Sequence, residues 1–324
     1  MTDVASRPDN AQIPISPADR PGVGDRVFRG LSVAAASLAL VIVGATIVFL
    51  ARESRAAFAA NGIFGFFTGS VWNPSSETFG VFGIMVGTII IASIALFVAV
   101  PFSIAMAIFI NEYAPRAVAR GLTTAIDLLA ALPSLIFGMW GRDAFATHLQ
   151  PVARWLSDHL YAIPFFSRSS DDAYLIRSSF VAGVIVGIMI IPIITSISRD
   201  VMARAPREQC EAALGLGGTR WGMIRAVILP FGRTGIIGAI LLAFGRALGE
   251  TIAVALVIQL SFEANYHILE IGAGSIAAAI VTRFAESTEV ERSGLAAAGL
   301  ALVTLTFAVS LLSRRIVNRK PVPR

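Results

Sequence analysis

The sequence predicts an all-α integral membrane protein with six transmembrane helices. Of its 324 residues 56% are hydrophobic and only 15% charged, well below the about 25% charged residues of soluble proteins. Six separate apolar runs approach or exceed the ~20 residues that cross a ~30 Å hydrocarbon core. Within each run the apolar residues lie all round the helix instead of along one stripe, as contact with lipid and protein requires. A single water-soluble domain is thereby excluded.

The runs are residues 31–50, 82–110, 120–141, 179–197, 234–260 and 295–313. The first follows a polar lead containing Pro8, Pro14, Pro17 and Pro21, and it exceeds the 7–15 residues of a signal-peptide core. It reads as a retained anchor behind a cytoplasmic tail, residues 1–25. The second is long enough to tilt or to extend past the bilayer. Pro101, Pro133 and Pro192 fall inside the second, third and fourth runs, where each removes a backbone donor and can bend the helix. Bent helices suit either a path that opens and closes or simple variety of packing. The six-span domain covers 26–316, with a short C-terminal tail at 317–324.

Basic residues in the loops set orientation. Placing the N-terminus inside puts 17 basic residues on the cytoplasmic side and 8 outside, with Arg246 between them. Both termini are then cytoplasmic. The net charge of +5 is scattered through short loops without interleaved aromatics, so nucleic acid is not a predicted partner.

Three ionisable residues fall within spans, where they are costly and usually functional or paired. Asp127 lies about two turns into the third span and reads as structural. Arg246 lies roughly 18 Å along the fifth at helical rise, near the midplane, and Glu250 follows at the i, i+4 spacing that brings two side chains together. Such a pair can be a self-neutralising packing device. A guanidinium is also a planar donor fork matched to phosphate-type oxyanions, which makes Arg246 and Glu250 the candidate substrate path. Gly245 and Gly249 flank them at the GxxxG spacing that admits a close helix neighbour.

The polar stretch between the fourth and fifth spans, about 199–231, reads as an elbow of two short helices. One runs from Arg207 to Leu214 after Pro206, a favoured first-turn position. A break at 215–218 and a second helix capped by Thr219 follow, with Trp221, Ile224 and Ile228 on one face. An elbow of this kind suits a groove on a soluble partner or a resting place on lipid headgroups.

The spacing in that elbow is specific: Glu211-Ala212-Ala213, three residues, Gly217, nine residues, then Val227-Ile228-Leu229-Pro230. It resembles the EAA loop of importer-type ABC permeases, departing only by Val227 in place of Ile. The segments Asp127–Gly141, Ile190–Arg199 and above all Gly245-Arg-Ala-Leu-Gly-Glu-Thr-Ile-Ala-Val254 are similar to the PstC-type permease subunits of phosphate importers. The resemblance covers about 27–316; outer loops 51–80 and 142–178 carry no matching motif. It implies the type I ABC importer permease fold in a bacterial or archaeal plasma membrane. It also implies a PstA-like second permease, two PstB-like ATPase subunits and an extracytoplasmic PstS-like phosphate-binding protein as partners. In such a permease Glu211, Ala212, Ala213 and Gly217 dock the ATPase, while Arg246 and Glu250 serve phosphate passage. Permeases for sulfate or molybdate remain an alternative within the class, and a secondary carrier or a membrane anchor outside it.

No chemistry of its own is expected of the chain. The single lysine, Lys320, sits in Asn-Arg-Lys-Pro, outside any G-x-x-x-x-G-K-[ST] phosphate loop. Cys210 is the only cysteine, and His148, His159 and His267 form no HExxH pair. Neither a cofactor nor a metal is predicted, and the energy for transport must come from a partner ATPase.

Overall fold

The computed structural model describes residues 22–167 and 172–318. Most of the predicted N-terminal tail, Arg168 and the C-terminal residues from Arg319 onward, Lys320 included, lie outside them. The chain divides into two compact units at Phe49/Leu50. The first span is helix α1, Val23–Glu53, longer than the apolar run at both ends, so the helix begins within the stretch assigned to the tail. It buries none of its residues.

In the second unit, short helices α2 (Arg55–Asn61) and α3 (Ile63–Thr68) precede a two-residue hairpin, β1 (Trp72–Asn73) with β2 (Thr78–Phe79). Trp72 pairs with Phe79 across it. Helix α4, Phe82–Ile108, is the second span. It passes Pro101 without breaking and ends in a π-helical turn, Phe109–Tyr113.

The third span is not one helix. Helix α5 (Arg116–Ala131) stops before Leu132-Pro133, and α6 (Ser134–Trp140) then continues through a π turn into α7, Ala146–His159. The two halves meet at 93°. Proline drives the preceding residue out of helical geometry, and Leu132 is indeed extended, at φ −66°, ψ 136°. Asp127 stands exposed on α5.

Helix α8, Ser179–Met202, is the fourth span and the most buried, and Pro192 lies within it unbroken. Its main partner is α4. At their crossing a Cβ on Gly183 would come within 2.6 Å of the Ile94 Cβ, and one on Gly187 within 3.0 Å of the Ala95 carbonyl oxygen. Two glycines one turn apart therefore bring the backbones together, the small-residue packing that membrane helices use where no hydrophobic force separates protein from lipid. Ile91, Ala92 and Ala95 of α4 and Val181, Ile185 and Ile190 of α8 form the centre of the core.

The elbow consists of α9 (Arg207–Gly215) and α10 (Arg220–Met223). A π turn, Ile224–Ile228, then leads without interruption into α11, Leu229–Leu248. The fifth span thus starts well before residue 234, and the elbow's second helix is its first turn. The span also ends early. After Leu248 the backbone leaves the helix and re-forms only as α12, Ile252–Val257. An irregular stretch leads to α13 (Ile276–Arg283) and to the last span, α14, Glu289–Asn318. Five helices among the described residues are long and apolar enough to cross a membrane, and six spans result if the bent pair of α5 with α6–α7 counts as one.

Candidate functional site

At the end of α11 the run Gly245-Arg246-Ala247-Leu248-Gly249-Glu250-Thr251 changes from helix to irregular backbone. Gly249 closes the last turn, its N–H donating to the Gly245 carbonyl at 3.2 Å. The Thr251 hydroxyl donates to the Gly249 carbonyl at 3.0 Å. The predicted meeting of Arg246 and Glu250 on one helical face does not occur. The i, i+4 rule holds only while the helix continues, and here it stops between the two. Arg246 is exposed, whereas Glu250 is only 7% exposed. The Glu250 carboxylate instead turns forward and accepts the Ala253 N–H at 3.3 Å. It thereby satisfies an otherwise unpaired donor in the first turn of α12 and places negative charge at that helix's positive end. The Arg246 guanidinium has no ion-pair partner among the described residues.

Gly245 and Gly249 line an open groove of about 450 Å³ whose other wall is α14, through Leu302, Thr306, Phe307 and Ser310. Nothing lies within 4 Å of a Cβ placed on Gly245. The close helix contact predicted from this GxxxG spacing is thus not made at Gly245 among the described residues. The spacing performs that role at Gly183 and Gly187, which sequence reasoning did not single out. The only local cue there was two glycines four apart in an apolar run.

In the elbow, Pro206 precedes α9 as predicted. Gly217 has φ +85°, in the left-handed region that glycine enters freely. The Thr219 hydroxyl accepts the Gly222 N–H at 3.1 Å, the expected cap. Glu211, Ala212 and Gly217 are exposed, and Ala213 is half-buried. The apolar face predicted for the second helix is split. Ile224 and Ile228 are buried against Ala107, Ile108, Met202 and Met223, but Trp221, in α10 ahead of the π turn, is exposed. Leu216, 91% exposed, Leu214 and Trp221 give the elbow an uncovered apolar tip. Burial pushes the Cys210 thiol pKa up from its ordinary value, with the nearby Glu112 and Glu211 carboxylates adding to the shift.

Two contacts tie the π turn at the end of α4, one to the last turn of α8 from which the elbow departs and one to the elbow itself. The Asn111 side-chain amide donates to the Arg199 carbonyl at 2.8 Å, and the Arg220 guanidinium donates to the Glu112 carbonyl at 2.9 Å while lying over the Tyr113 ring, 5.5 Å from its centre. Sequence reasoning did not find either contact. The partners are 88 and 108 residues apart, and no local periodicity connects them.

Comparison with known proteins bears on this arrangement. The family model described as "Binding-protein-dependent transport system inner membrane component" matches residues 99–321. The chain is 35% identical over 324 residues to a protein of Mycobacterium tuberculosis named "Phosphate transport system permease protein PstC 2", covering 99% of each. It is 38% identical over 287 residues to the PstC of Pasteurella multocida, covering 87% of each. Among solved structures, a bacterial alginate ABC transporter in complex with its alginate-bound periplasmic protein contains a chain of similar fold. The TM-score is 0.60 at 16% identity, over 91% of this chain and 95% of that one.

Proposed function

The chain belongs to the family of binding-protein-dependent transport system inner membrane components, and on that premise we propose that it is the PstC-type subunit of an ATP-driven phosphate importer. As a multi-pass membrane permease with the type I importer fold, it forms half of a translocation path with a PstA-like second permease. A PstS-like protein delivers phosphate from outside, and two PstB-like ATPases drive the cycle, one of them gripping the elbow at Glu211, Ala212, Ala213 and Gly217. Both termini face the cytoplasm. The observation that carries the reading is similarity over essentially the whole length to proteins named for phosphate transport. The exposed Arg246 at the broken end of α11 supports it.

In this reading Arg246 is the oxyanion contact. Its fork of donors has no ion-pair partner among the described residues, so a passing phosphate does not have to displace a carboxylate among them. Glu250 fixes the break beside it. The groove at Gly245 and Gly249 is left open for a helix of the second permease.

Arg246→Gln tests this. In cells lacking other phosphate importers, the variant is expected to abolish uptake of labelled phosphate while the second permease and the ATPase still co-purify with it. Normal uptake would overturn the role of Arg246. Competition by unlabelled sulfate or molybdate as strong as by phosphate would reassign the cargo to another oxyanion.

A further inference from the structure

The elbow leaves the membrane domain after α8 and rejoins it at α10. Both of these feet are fastened to the same five residues, the π turn Phe109–Tyr113 at the end of α4. At the departing foot, Asn111 donates at 2.8 Å to the Arg199 carbonyl in the last turn of α8, which also accepts the Ala203 N–H at 2.9 Å. At the returning foot, Arg220 donates to the carbonyl of the next residue, Glu112, near the end of that π turn. A guanidinium there also meets the negative pole of the helix and gains a cation–π contact with Tyr113. Beneath the two clips, Ala107 and Ile108 of α4 pack with Met202 of α8 and with Met223, Ile224 and Ile228, and Cys210 and Ala213 of α9 lean on the same cluster.

We propose that this π turn is the anchor through which movement of the elbow reaches the spans, with Arg220 and Asn111 as positioning residues that make the elbow and the inner ends of α4, α8 and α11 move as one body. A π turn suits the task. Its extra residue per turn shifts the helix end out of regular register, and such bulges recur at functional positions. An elbow hinged at its two feet would need neither clip and would gain nothing from a buried cluster shared with α4. The proposal rests on the reading that the elbow docks an ATPase, and it adds the path by which the force travels.

The test uses the complete importer in liposomes, with labelled phosphate transported per ATP hydrolysed as the readout. Arg220→Met is expected to retain the ATPase on co-purification and to keep its basal hydrolysis. Its phosphate-to-ATP ratio should fall roughly tenfold, the scale set by losing one hydrogen bond from a charged donor. Asn111→Ala should change the ratio in the same direction. Arg220→Lys, which keeps a cationic donor over Tyr113, should restore most of it.

A cross-link separates anchoring from hinging. In a Cys210→Ala background, Tyr113→Cys with Arg220→Cys should be poorly coupled until a short bismaleimide joins the two sites, and cross-linking should then recover the ratio. Loss of transport on cross-linking would show that the elbow must move against α4 and would overturn the proposal. Full coupling in both Arg220→Met and Asn111→Ala would also overturn it, as would failure of the ATPase to co-purify with Arg220→Met. If the unsubstituted complex carried no ATPase on this chain, the docking reading itself would fail, and that result would appear before any variant is compared.

Discussion

Arg246 and Glu250 are four residues apart, and their chemistry suggests an ion pair, yet one peptide segment decides otherwise. Gly249 has no side chain to favour continuing the helix, and the chain turns there into a new short helix whose first-turn donor Glu250 accepts. The carboxylate therefore acts as an acceptor for a backbone N–H, and a neutral amide of the same shape can replace it. Glu250→Gln is expected to keep the apparent thermal stability of the solubilised protein close to that of the parent. Glu250→Ala, which removes the acceptor, should cost about 1 kcal/mol, the usual loss for a helix cap. Thermal unfolding in detergent checks this. Equal losses in the two variants would mean that the negative charge, rather than the acceptor, is what the site needs.

The elements show which signals the sequence transmits. The elbow was legible because its signals are local: Pro206 opens α9, Thr219 caps α10, and Gly217 breaks the chain between them. The fifth span was misjudged at both ends for the opposite reason. Hydropathy falls in the arginine-rich stretch before residue 234 although the helix continues through it, and it stays high from 249 to 260 although the helix has stopped. Apolar character reports the surroundings of a segment, whereas helical continuity depends on backbone geometry at single residues. The GxxxG pairs make the same point. The pair at 245 and 249 and the pair at 183 and 187 look alike in sequence, and only the presence or absence of α4 alongside tells them apart. For the elbow, the positive φ of Gly217 gives a direct test. Nothing lies within 4 Å of a Cβ there, so Gly217→Ala should carry only the roughly 1–2 kcal/mol backbone cost of a left-handed residue and retain much of the coupling. Gly217→Pro cannot adopt that φ and also loses the N–H that donates to the Leu214 carbonyl at 3.0 Å. Pull-down with the ATPase should show binding kept by the alanine variant and lost by the proline variant. Unimpaired binding and transport-coupled hydrolysis in Gly217→Pro would remove Gly217 from the docking surface.

At the scale of the whole molecule, the proposed docking depends on which way the chain sits in the bilayer, because a cytoplasmic ATPase could meet the elbow only from that side. Counted as one broken span, α5 with α6–α7 keeps the number of crossings at six. Alternating sides from a cytoplasmic N-terminus then place the elbow inside and the segment between α7 and α8 outside. The 17 basic residues on the inner side against 8 on the outer favour this arrangement, because positively charged loops are retained in the cytoplasm. Two exposed positions report the outcome. Leu216 lies at the tip of the elbow and Tyr161 just after α7, and both are well exposed to a reagent. With Cys210 replaced by alanine, a cysteine at Tyr161 should react with a membrane-impermeant maleimide in intact cells. A cysteine at Leu216 should react only after permeabilisation, and less so when the ATPase is bound. The reverse pattern would put the elbow outside, where neither the arginine distribution nor an ATP-driven cycle could be reconciled with it.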